Sequence, residues 1–163
     1  MADLSPRDCR NSLESVIRDS QAHTTELEEL LVLEQSALRS QDTESLESIA
    51  AKKLGCVSAL DSLEGTRREL AVRAGFDTDP DGMNDMLAWC DEDRTLVHSW
   101  RSLLKSADRC ERQNRSNGAV SHVRAQQIRA ALAILSGNPD STHIYSPSGT
   151  ATAGHDHREI ARA

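Results

Sequence analysis

The stretch LESVIRDSQAHTTELEELLVLEQSAL, residues 13–38, decides the fold. Leu13, Ile17, Ser20, Thr24, Leu27, Leu31, Glu34 and Leu38 step 4-3-4-3-4-3-4 through it. That spacing is a heptad seam with its polar members kept in register, and it predicts one long helix. Ser5 stands as the cap, Pro6 suits the first turn, and Asp8 takes the third position as in a capping box. The helix is expected to end near Ser40 or Gln41.

A second helix follows, capped by Asp42 or Thr43 and stopped by Gly75. Its seam is Leu46, Ile49, Lys53, Cys56, Leu60, Leu63, Arg67 and Leu70. Pairing Leu38 with Leu46, Leu27 with Cys56 and Leu13 with Leu70 satisfies both seams in a single antiparallel register. Each helix should be ~50 Å long at 1.5 Å per residue. Glu34, Lys53 and Arg67 fall on seam positions. Either a Glu34–Lys53 pair fixes the register, since unpaired buried charge is costly, or all three snorkel outward.

Phe76 to Asn84 reads as a linker rich in turn-formers, followed by short helical character over Met83–Cys90. Asp91 then caps a longer helix bearing Leu96, Trp100, Leu103, Leu104, Ala107 and Cys110. That face completes a three-helix core against the hairpin. Next comes a polar interruption, Gln113-Asn114-Arg115-Ser116-Asn117-Gly118, in which Asn-Gly is a strong turn signal. Asn114, Asn117 and Gly118 are candidate hinge residues. Beyond them Val120, Val123, Gln127, Ile128, Ala131, Leu132, Ile134 and Leu135 form another apolar stripe, ended by Gly137 and Pro139. The stripe either packs back on the bundle or meets a partner groove.

The expected class is therefore all-α: an elongated antiparallel hairpin completed by a third long helix, a three- to four-helix bundle over residues 1–137. Residues 119–137 are the candidate binding helix, and 138–163 a flexible tail poor in apolar side chains. Composition agrees. Only Phe76, Trp89, Trp100 and Tyr145 are aromatic, and no proline stands between Pro6 and Pro80. No apolar run reaches the roughly 18 residues of a membrane span, and the first residues lack a secretory pattern. A cytoplasmic protein without membrane insertion is expected.

No phosphate loop, zinc-protease motif, nucleophile elbow or di-iron pattern appears, so no catalytic residue and no cofactor is assigned. Cys9, Cys56, Cys90 and Cys110 lack metal-ligand spacing and read as reduced, small apolar residues. His143, His155 and His157 have no accompanying ligand cluster, so no metal is assigned. Charge is uneven: residues 1–93 carry 9 Lys and Arg against 21 Asp and Glu, a net −12, whereas 94–163 carry +5. The run Arg101–Arg129, with seven basic and two acidic residues, raises nucleic-acid binding or another helical adaptor role as the alternative function. The acidic whole and the scarcity of stacking aromatics count against nucleic acid.

The ordered set Gln113-Asn114 with Asn117-Gly118, then Ala131-Leu132-Ala133-Ile134-Leu135-Ser136-Gly137, then Tyr145 with Gly149, resembles the FlgN family of flagellar type III export chaperones. Leu30-Leu31, Glu34, Leu38, Asp42, Lys53, Arg67, Leu70 and Trp100 extend the match to roughly residues 27–149. The resemblance implies a non-enzymatic protein that binds the hook–filament junction proteins FlgK and FlgL, prevents their premature association, and delivers them to the cytoplasmic domain of the export gate. It places client binding in the C-terminal part. Val120, Val123, Gln127, Ile128, Ala131, Leu132 and Leu135 are then the candidate client surface, and Tyr145 a candidate contact for the gate or the client.

Overall fold

The computed structural model describes residues 4–135, and these form four helices with no strand among them. The elements are α1 (Pro6–Ser40), α2 (Thr43–Ala74), α3 (Pro80–Cys90) and α4 (Thr95–Leu135). The expected tail and Tyr145 lie outside the described residues. Two compact units are distinguished, Met1–Ser121 and His122–Ala163.

The ends of the first two helices follow the caps in the sequence. Ser5 Oγ accepts from the Asp8 amide at 3.2 Å, and Asp42 Oδ1 from that of Ser45 at 3.0 Å. Gly75, at φ 85°, closes α2 in the left-handed conformation that glycine adopts most cheaply. The short connection is made by Gln41 at φ 61°, which turns the chain directly into Asp42.

The hairpin packs in the expected register. Leu13 and Leu70 share one apolar cluster with Cys9, Ile17 and Ala71. Leu27 and Cys56 share a second with Leu30, Ala37, Leu46 and Ile49. Short α3 joins the first cluster through Met83, Met86, Leu87 and Cys90, all almost fully buried. Buried Arg67 closes that end. It donates to Glu64 at 2.7 Å and to the Thr78 carbonyl at 2.9 Å, and lies 6.0 Å from the Trp100 ring centre.

Two expectations need correction here. The linker is shorter than predicted, because α3 begins at Pro80. Asp79 caps it, accepting from the Gly82 amide at 2.7 Å, and proline suits the first helical position. Asp91 ends α3 instead of simply capping the next helix. It still accepts from the Val97 amide at 2.8 Å, while Asp93 accepts from that of Thr95 at 3.1 Å.

The direction of α4 in the first unit follows from its bonds. Arg10 meets Asp91 and Asp93, Gln21 meets Ser99, Glu28 meets Arg109, and Leu31 meets Asn117. Both numbers rise together, so α4 runs parallel to α1. Moving back along α2 from Arg67 to Lys53 moves forward along α4 from Trp100 to Asn114. The α2–α4 pair is therefore antiparallel, and the three long helices form an up-down-up bundle.

Candidate interaction surface

The Asn-rich segment does not interrupt the helix. α4 is continuous from Thr95 to Leu135, and neither Asn117 nor Gly118 has a positive φ. The expected break fails because the turn preference of Asn-Gly is overruled by contacts far away in sequence. Leu96, Leu103, Cys110 and Asn117 are the buried residues of α4, spaced seven apart. Asn117 thus holds a heptad core position, where a single polar residue specifies register.

Its side chain, only 2% exposed, is fully used. Asn117 Nδ2 donates to the Leu31 carbonyl at 2.8 Å and to Glu34 Oε2 at 2.9 Å, while Oδ1 accepts from Gln113 Nε2 at 3.0 Å. Lys53 Nζ donates to both Glu34 oxygens at 2.9 Å and to Asn114 Oδ1 at 2.8 Å. Glu34 and Lys53 therefore meet, and the two asparagines complete a network across α1, α2 and α4. Among the described residues no buried side-chain nitrogen or oxygen lacks a partner. A satisfied network of this kind rewards one alignment of three helices and penalises a slipped one. Gln113 is the member the sequence reading did not assign. Counting sevens from Leu96 leads to Asn117, and Gln113 lies one turn before it.

The stripe beyond has the opposite character. Val120, at the end of the first unit, is exposed. In the second unit Val123, Gln127, Ile128, Ala131, Leu132 and Leu135 are all exposed, with Ile128 61% and Leu135 83% accessible. Ile134 is exposed as well. Exposed apolar side chains gathered along one helix make this segment a candidate interaction surface. Residues 122–135 also carry Arg124 and Arg129 and no acidic residue.

Within the run Arg101–Arg129, three of the seven basic residues meet acidic partners on the protein itself. Arg109 donates to Glu28 at 2.6 Å, Arg112 pairs with Asp108, and Arg115 donates to Glu111 at 2.6 Å. Hydrogen bonding from Arg109 holds the Glu28 carboxyl below its ordinary value. No described helix is long and apolar enough to cross a membrane.

Comparison with known proteins agrees with the resemblance. No curated protein and no solved structure matches the chain. The family model described as FlgN protein matches residues 10–153, most of the chain. With that match, the chain belongs to the FlgN family of flagellar export chaperones.

Proposed function

We propose that this protein binds the hook–filament junction proteins FlgK and FlgL in the cytoplasm, keeps them from associating early, and brings them to the cytoplasmic domain of the flagellar export gate. The observation that supports this reading is the exposure of Val123, Ile128, Leu132 and Leu135 along one helical segment. Clients that assemble through amphipathic helices need such a face covered until export. A groove or helix laid against it removes apolar area from water at roughly 25 cal/mol per Å², offset by ordering costs. Arg124 and Arg129 beside the stripe favour a client helix with acidic flanks. The complex is stoichiometric, because covering a surface consumes no substrate. Residues 119–137 form the client helix in this reading, and Tyr145 remains a candidate contact for the gate or the client.

The test is co-purification of FlgK and FlgL with the full chain and with a truncation before Ala119. The truncated form keeps Asn117 and both apolar clusters, so it should fold and lose the clients. Ile128→Asp with Leu132→Asp in the full chain should lose them too. A folded truncation that captures both clients as tightly as the full chain overturns the assignment.

A further inference from the structure

Three metal-binding side chains of different kinds converge on the hairpin, between α1 and α2. His23 and Glu26 stand three residues apart on α1, and Cys56 comes from α2. That separation places two helical side chains side by side. One ligand atom from each of the three lies within 4.8 Å of the others, and His23 Nδ1 is 3.7 Å from Glu26 Oε2. We propose that His23, Glu26 and Cys56 form a zinc site that clips α1 to α2.

The donor set fits the metal. Imidazole nitrogen, carboxylate oxygen and thiolate sulfur all bind Zn²⁺, at about 2.0–2.3 Å in tetrahedral geometry. Ligand atoms at those lengths sit ~3.3–3.6 Å apart. The His23–Glu26 distance is already close to that edge. The remaining closure, on the order of 1 Å from the limiting spacing, falls within the rotamer freedom of the two α1 side chains. Glu26 is exposed and His23 partly so, whereas Cys56 is buried in the cluster of Leu30, Ala37 and Ile49. The sulfur therefore forms a fixed floor, two adjustable ligands form the wall, and the solvent side leaves the fourth position to water. Soft thiolate with imidazole selects Zn²⁺ over Mg²⁺ or Ca²⁺.

The metal takes the thiol proton's place between sulfur and carboxylate. Binding thus releases the thiol proton to solvent and is weaker at low pH. The site was hidden from spacing arguments because Cys56 stands thirty residues beyond Glu26 and is brought back only by the hairpin.

Cobalt(II) alone, titrated into the reduced full chain, tests the site. One equivalent should give a sulfur-to-cobalt charge-transfer band that zinc abolishes. That band reports a thiolate ligand, so metal held by His143, His155 or His157 does not produce it. Cys56→Ser should remove the band. His23→Gln, a change at the surface that leaves the hairpin folded by circular dichroism, should weaken cobalt at least tenfold. Zinc should raise the melting temperature of the native chain and not that of His23→Gln. A native chain with no band overturns the proposal, as does a band that survives Cys56→Ser or is indifferent to His23→Gln.

Discussion

Asn117 Nδ2 donates to the main-chain carbonyl of Leu31 at 2.8 Å, across the α1–α4 interface. That carbonyl belongs to the interior of α1, so the bond uses an acceptor lone pair left over by the helix ladder. The same nitrogen reaches Glu34, and Glu34 reaches Lys53 on α2. One amide therefore ties α4 to both members of the hairpin.

Asn117→Ala removes three of these bonds and leaves Glu34 and Gln113 short of partners. The loss of stability should be about 1–3 kcal/mol, the cost of stranding buried polar groups. Asn117→Asp should cost more, because it sets a second carboxylate against Glu34. Urea unfolding of the two variants checks the order. An alanine variant as stable as the native chain means the network contributes nothing net.

The hairpin can be read from the sequence because both seams repeat every seven residues and share one register. Leu13 with Leu70 and Leu27 with Cys56 meet as that repeat predicts. α4 is harder to read. Asn117 and Gly118 carry strong local turn preferences, while the partners that keep them helical lie 83 and 86 residues away. Propensity is local and tertiary contacts overrule it. The start of α3 at Pro80 departs from the expected linker for a related reason. Asp79-Pro80 serves equally well as a turn and as a helix start, and only the amide of Gly82 decides between them. The apolar stripe of α4 was visible by spacing, but its exposure was not, since a buried face and a partner face share one pattern.

Chemical ageing offers a second check on the continuity of α4. Asn-Gly pairs deamidate when the glycine amide nitrogen attacks the asparagine side-chain carbonyl and expels ammonia. A helical backbone holds those atoms apart, and Asn117 has its amide engaged with Leu31 and Glu34. Conversion at Asn117 should be much slower in the native protein than in urea, as followed by peptide mass. Equal rates would mean the segment opens freely in the native state.

Acid should act through the bridge at the other end. Arg10 donates to both Asp93 oxygens and to Asp91 Oδ1, each at 3.0 Å. The Arg10 bond first, then those from Thr95, hold the Asp93 carboxyl well below its ordinary value. A carboxyl depressed in the folded state stabilises above its unfolded pKa of about 4, and that contribution fades as pH falls toward the folded value. Arg10→Gln should therefore be less stable than the native chain at neutral pH, with the gap narrowing below pH ~4. Urea midpoints across that range measure the gap, and a constant difference would remove Asp93 from the account.

Gly118 is the weak point that remains within α4. A β-carbon built there meets nothing within 4 Å, so no packing requires glycine. Its φ is not positive, so no turn requires it either. A mid-helix glycine costs roughly 0.5–1 kcal/mol relative to alanine. Gly118→Ala should accordingly raise stability by about that much, seen as a higher urea midpoint. On the proposed function, if Gly118 lets residues 119–135 bend toward a client, the same variant should bind FlgK and FlgL more weakly while folding better. Such a gain and loss in one substitution distinguishes a joint from a passive surface residue. Unchanged affinity in a stabilised variant would argue against Gly118 as a joint.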